Sequence, residues 1–430
     1  MSKLSENFED FLMLIAEKVD DNKYLSAIKN TFTIYMPFVI VGSFSTLCKL
    51  LLCSETIGVA KWIPGLVKIA PAFTAVNFAT LTVMTLPIVF LLGMQLAKKN
   101  KTPDFITGVI ALLAYISVVP NEVGVIINEI SGSAPGLSSS VMGAQGLFIG
   151  MILTIIVAEV FKLLYNIDRL NIKMPKEVPA QIATSFNTLI PIFITLSIFS
   201  IFGVLFKELS GVYINEYVYQ IIQAPLESIF QSPLGIVAIV IFMQFFWFLG
   251  IHGGLVISPI RNPLMIAALA TNIELVEKGL TATEPITAGF WNVFVTCGGA
   301  GVTLALIFSL LLFGKRKEER AVAKLALAPG ICGISEPLVF GLPLVLNPIY
   351  ALPFIINSAV ATMIALVAIN IGFIAPSTID VPFGIPIILN AFIGFGWKGI
   401  IVQIVLLIVC TLIWTPFVLI SNKQGMKDIK

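Results

Sequence analysis

Charge is scarce in this sequence. Among 430 residues there are 26 Lys and Arg, 24 Asp and Glu, and one His, so charged residues make up 12%. A soluble globular domain carries about 25%. A soluble chain of this length would form roughly two or three domains, and these charges could not cover their surfaces. The formal net charge of +2 offers no basic surface for nucleic acid. Metal-ligand spacing is also missing. The five cysteines, Cys48, Cys53, Cys297, Cys332 and Cys410, form no CxxC pair, and one histidine cannot complete a zinc set with them. They read as small apolar core residues. No Walker A motif occurs, so ATP is not the direct energy source. The first 30 residues are polar and mixed in charge, unlike a signal peptide. They suit a short amphipathic helix on the membrane surface, with Phe8, Phe11, Leu12 and Ile15 on one side. No cofactor and no metal is expected.

Long apolar runs fill the space that charge leaves. They include Phe32–Leu52, Phe73–Gly93, Leu147–Leu164 and Ile401–Ile420. Each approaches the roughly 20 residues needed to cross a bilayer. Helices are expected, because backbone polar groups must be paired within lipid. The fold class is therefore an all-α polytopic membrane protein. Basic clusters orient it: "KKNK" at 98–101, "NIDRLNIKMPK" at 166–176, "KRKEER" at 315–320 and the C-terminal "KQGMKDIK" all mark the inside. Both termini are expected in the cytoplasm. The third crossing is Phe105–Val119, the fifth Thr188–Phe206, and the sixth ends at "GIHGG". Residues 211–231 mix Tyr and Glu with apolar side chains and read as an interfacial helix. Between Arg261 and Val293 the chain must return outside through a stretch too weakly apolar for a clear crossing, so a short or broken helix is expected there.

After Arg320 the pattern changes. "APGICGISEPLVFGLPLVLNPIY" holds four prolines and three glycines in an apolar setting, and "IAPSTIDVPFGIPIILN" at 374–390 repeats the theme. A straight helix loses hydrogen bonds at such prolines. Non-helical backbone at membrane depth needs protein or a watered cavity around it, and broken helices mark binding sites in transporters. About ten transmembrane helices with two re-entrant hairpins, near 325–345 and 374–392, are expected. The organisation is an N-terminal segment 1–30, a helical part 31–232 suited to dimerisation, and a substrate-binding part 233–422.

Two ionisable residues stand alone. From Ser228 to Ile260 nothing is formally charged and His252 is the one titratable ring; from Leu325 to Ile379 the one charged residue is Glu336. Such groups in a membrane protein face a cavity or a partner. A plainer reading makes His252 a satisfied helix end and Glu336 a structural cap. Trp247, Trp62 and Trp414 also suit an interface belt. An offset of five residues is about 140° around a helix, so Trp247 and His252 do not share one stripe. They meet only if the helix breaks at Gly250 or if a ligand spans adjoining faces. A lining of amides, aromatics and one carboxylate suits a neutral polyol. Gln145 in "GAQG", Trp291 and Asn292 in "GFWNVF", and Asn390 complete the candidates.

At "GIHGG" and "GISEPLVFGLPLVLNPIY" the chain resembles enzyme IIC, the membrane subunit of the bacterial phosphoenolpyruvate-dependent sugar phosphotransferase system. The branch is similar to the lactose, cellobiose and N,N'-diacetylchitobiose family. The likeness extends to "LSAIKNTFTIYMPFVIVGSF", "NIKMPKEVPAQIATSF" and "NPLM". It implies a homodimer in the bacterial cytoplasmic membrane that binds an external β-linked disaccharide, cellobiose or diacetylchitobiose ahead of lactose. The sugar is presented to a separate IIB protein, whose phosphocysteine phosphorylates the 6-hydroxyl; IIA and HPr supply IIB. The resemblance also implies that Trp247, His252 and Glu336 contact the sugar. Glu336 would orient or deprotonate the 6-hydroxyl and His252 would assist. Family members carry a tryptophan in the second hairpin where "DVPFGIP" places Phe383, which stacks with less face and no N–H. The phosphotransferase partners are expected on other chains. The alternatives are a proton-coupled sugar transporter using Glu336 and His252, and a structural or sensor protein, which two broken segments disfavour.

Overall fold

The long apolar runs become helices because a helix pairs its backbone internally and leaves only side chains facing lipid. The computed structural model describes residues 22–427, except 56–57, 128–129, 173, 176–177, 251, 343 and 346. The amphipathic N-terminal stretch with Phe8 to Ile15 lies outside the described residues. Eight helices among those described are long and apolar enough to cross a membrane, or nine if one bent pair forms a single span. The chain is a multi-pass membrane protein. The expected total of about ten was higher, and one expected crossing, Asp104–Val118, has only 15 residues.

The chain divides into two units, the first formed by Asp20–Ser45 and Val59–Glu227. Helix α1 spans Lys23–Cys53, α2 Pro64–Thr82, α3 Thr85–Asn100 and α4 Asp104–Val118. The single crossing expected over Phe73–Gly93 is thus divided, at Val83 and Met84. Strands β1 (Glu122–Ile127) and β2 (Ile130–Pro135) then pair antiparallel, with Glu122 opposite Pro135. This hairpin departs from the all-α expectation. Helices α5 (Leu147–Tyr165) and α6 (Ala180–Ser210) follow. Val89, Ala111, Tyr115, Leu153 and Phe161 pack a buried core between α3, α4 and α5. Gly93 and Gly108 let α3 and α4 touch, since a Cβ on Gly93 would lie 2.9 Å from the Gly108 Cα. The Lys23 ammonium donates to Glu159 at 2.7 Å, and Asn100 donates to the same carboxylate. On α6, Leu189, Phe193, Ile201 and Val204 are exposed. A soluble protein rarely shows so continuous an apolar face, and a lipid-facing helix requires one.

The chain bends by 81° between α7 (Ile214–Gln231) and α8 (Pro233–Phe248). Ser232 caps α8 by accepting from the Gly235 N–H, with Pro233 at the first helical position.

The second unit comprises the described residues of Thr46–Gly58 and Ser228–Lys430. Helix α9 (Gly253–Glu277) continues through Pro259 and Pro263. It corrects the expectation of a broken helix between Arg261 and Val293. Weak hydropathy misled there because 61% of its most apolar window is buried in protein, where polar residues have partners. Asn272 shows how: its side chain donates to the carbonyls of Glu284 and Ser377 and accepts from the N–H groups of Thr283 and Glu284. Helix α10 (Ala288–Phe313) bends at a glycine cluster, with Gly298, Gly299 and Gly301 at positive φ. Then come α11 (Lys317–Ile331), α12 (Glu336–Gly341), α13 (Ala351–Asn370) and α14 (Leu389–Lys427).

The two proline-rich stretches are breaks, as expected, but not two clear hairpins. One holds the six-residue α12. The other, 371–388, has no regular structure. Its backbone is satisfied by side chains. Gln403 accepts from the Ile388 N–H and donates to the Val293 carbonyl, Asn292 donates to the Val381 carbonyl, and Ser377 donates to the Gly394 carbonyl. Trp414 is buried against Tyr350 and is no belt residue, whereas Trp62 is exposed. Cys53, Cys297 and Cys410 are buried, as core cysteines should be.

Candidate functional site

The chain breaks where the glycines permit it. Helix α8 ends at Phe248, Gly250 adopts φ +85°, and α9 begins at Gly253. A side chain at Gly250 would be strained at that φ and would meet Val345. At Gly253 a Cβ would strike the Met243 carbonyl, so the glycine lets the two helices approach. The reversal brings the Trp247 and His252 rings to 4.2 Å between centroids, tilted by 45°. Trp247 is only 6% exposed, while His252 is exposed. Its Nδ1 accepts the Leu255 N–H at 3.2 Å, which caps α9. The helix-end role and the site role therefore coexist. With Nδ1 accepting, the neutral ring carries its proton on Nε2.

One turn-pair further along α9 is Arg261, which the sequence reading left unassigned. Its Nε and Nη2 donate to the Asn262 Oδ1 at 3.2 and 3.0 Å. The guanidinium lies 4.7 Å over the Trp291 ring, itself 2% exposed. Trp291 thus supports a cation within the protein.

The next residue, Asn292, lines a cleft with Thr296, Cys332, Phe383 and Asn390. Phe383 is 62% exposed, and a side chain on Gly333 would touch its ring. The Asn390 Oδ1 accepts from Gln403. The cleft holds about 10 Å³, room for one water and far less than a sugar ring. Asp380, 5% exposed, lies beside the Val381 carbonyl that Asn292 holds. It too escaped the sequence reading; its signal was an acid inside a proline-rich apolar stretch.

Glu336 opens α12, half-buried, with no hydrogen bond or ion pair among the described residues. The preceding Ser335 packs on Gly299, where a Cβ would lie 2.7 Å from the Ser335 Cβ. Seven of the eight candidate residues thus lie in the second unit. Trp247 and His252 touch; Asn292, Phe383 and Asn390 share the cleft; Trp291 carries Arg261; Glu336 follows the glycine contact. Gln145 lies in the other unit, lining a polar pocket with Ser138, Asn215, Glu216 and Tyr219. No group of three His, Cys, Asp or Glu suited to a metal occurs among the described residues.

Comparison with known proteins decides the family. Residues 29–358 match the family described as Phosphotransferase system, EIIC. This chain belongs to the EIIC family. It is 30% identical to the oligo-beta-mannoside-specific EIIC component of Bacillus subtilis (strain 168), covering 99% of this chain and 96% of that one. The cellobiose-specific EIIC component of Geobacillus stearothermophilus is 29% identical over 99% of this chain and 95% of its own. Among solved structures, the IIC component of the N,N'-diacetylchitobiose-specific phosphotransferase system superposes with a TM-score of 0.90, at 30% identity and 98% coverage of both chains. As an EIIC, the protein is a sugar permease of the membrane that works with the EIIB phosphorylation cascade.

Proposed function

We propose that this EIIC binds an external β-linked disaccharide, cellobiose or diacetylchitobiose ahead of lactose, and presents its 6-hydroxyl to phosphocysteine EIIB. The observation that carries this reading is the carboxylate of Glu336 at a helix break, without a partner among the described residues. A carboxylate in that position accepts a sugar hydroxyl and can take its proton during transfer. His252 donates from Nε2 to the same hydroxyl region, with Nδ1 committed to the α9 cap. Trp247 sets the imidazole, Phe383 offers an exposed ring for stacking, and Asn292, Asn390 and Trp291 line the approach. Gln145 belongs to a separate polar pocket in the other unit. The two broken stretches act as re-entrant segments, both termini face the cytoplasm, and the protein works as a homodimer.

The test uses the full chain in vesicles with phosphorylated EIIB. Wild type should form sugar 6-phosphate. Glu336→Gln should insert and bind sugar but lose turnover by roughly 100-fold, the scale of a missing general base. Normal product formation by that variant sinks the role of Glu336. Accumulation of unmodified sugar under a pH gradient alone would instead establish a proton-coupled transporter.

A further inference from the structure

Arg261 has a donor to spare. Its Nε and Nη2 share one acceptor, the Asn262 Oδ1, and its face rests on Trp291. No acid pairs with it among the described residues, although Lys23, Lys49, Lys278 and Arg316 each have one. The remaining Nη1 points back along α9. A Cβ on Gly254 would lie 3.9 Å from that Nη1 and 3.4 Å from the His252 Cε1, so the guanidinium and the imidazole flank one point at the helix break. The same point lies at the N-terminal end of α9, a 25-residue helix whose first N–H groups favour negative charge. A cation on a membrane-length helix is costly unless an anion or a cavity receives it. No acid among the described residues receives Arg261, and the uncharged sugar brings no anion.

We infer that Arg261 is the phosphoryl-binding residue of the transfer step, holding the anionic group between the EIIB cysteine and the sugar beside His252. The inference rests on the reading of the chain as a disaccharide permease. In the step, the sugar 6-hydroxyl yields its proton to Glu336 and its oxygen forms the new O–P bond. The S–P bond breaks, and the EIIB cysteine leaves as a thiolate with the electron pair. Negative charge spreads over the three equatorial phosphoryl oxygens, and a preorganised guanidinium stabilises it. Trp291 and Asn262 fix the plane of the guanidinium before the phosphoryl group arrives.

The experiment compares wild type, Arg261→Gln and Arg261→Lys, full chain in detergent and vesicles. Cellobiose, diacetylchitobiose and lactose serve as substrates, with phosphorylated EIIB as donor. Calorimetry compares the substrate with its 6-phosphate. Arg261→Gln should keep sugar affinity within about threefold, lose turnover by about 100-fold, and lose about tenfold of its affinity for the sugar 6-phosphate relative to the sugar. Arg261→Lys should fall between the two. A merely structural role would change both affinities together. Parallel loss of sugar and sugar 6-phosphate binding, or undiminished turnover by Arg261→Gln, overturns the assignment. If wild type phosphorylates none of the three sugars, the disaccharide reading fails, and a retained Arg261 effect on sugar 6-phosphate binding stands apart from it.

Discussion

His252 holds two tasks that substitution can separate. His252→Ala removes both the N-cap and the ring packed on Trp247. It should cost about 1 kcal/mol at the cap and weaken sugar binding, read by thermal unfolding and by calorimetry on the same preparation. His252→Asn keeps an acceptor for the Leu255 N–H and should restore most of the stability without restoring the affinity. Equal affinity for wild type and His252→Asn would remove the imidazole from the site. At this scale the sequence was informative about isolation, because an ion inside an apolar run is visible in one dimension. It was blind to company. Arg261 had no role in the sequence reading until α9 proved continuous and set its guanidinium over Trp291, thirty residues on.

Breaks, more than helices, position the candidate site. Gly250 turns the chain between α8 and α9, and Gly299 receives Ser335 just before Glu336. Gly299 sits at φ +105°, and a Cβ there would also crowd the Thr303 Oγ1 at 2.6 Å. Gly299→Ala should therefore destabilise by about 1–3 kcal/mol and displace Glu336, lowering turnover more than sugar binding. A variant with wild-type turnover would show that this contact does not position the carboxylate. The irregular run 371–388 depends on Gln403, which bonds the Ile388 N–H, the Val293 carbonyl and Asn390. Gln403→Leu strands buried polar groups, at about 1–3 kcal/mol each, and should lower the unfolding temperature in detergent. An unchanged transition would place the support of that run elsewhere. The proline pattern announced both breaks. It did not reveal that amide side chains, rather than helical hairpins, satisfy the second one, because a hydrogen-bond partner distant in sequence leaves no local trace.

For the molecule as a whole, apolar length and a buried polar lattice divide the work. Among the polar ties of the second unit, Glu319 joins the start of α11 to the end of α14: it accepts from Arg316 at 3.0 Å and from Ser421 at 2.7 Å. Glu319→Ala leaves Arg316 without its acid, a loss of about 3 kcal/mol or more for a buried pair, less here because Arg316 is partly exposed. Thermal unfolding of the purified chain would register it, and an unchanged midpoint would show that the tie carries no stability. Membrane class, most crossings and the family's "GIHGG" and "GISEP" stretches were determined by the sequence alone. A twenty-residue apolar run has one economical fate in lipid, and a motif is local by nature. Tertiary structure alone decided that Trp247 meets His252, that Arg261 rests on Trp291, that Asn292, Phe383 and Asn390 share a cleft, and that Gln145 sits in the other unit. Those outcomes depend on how breaks redirect helices and which side chains then pack, and no local pattern of residues encodes either.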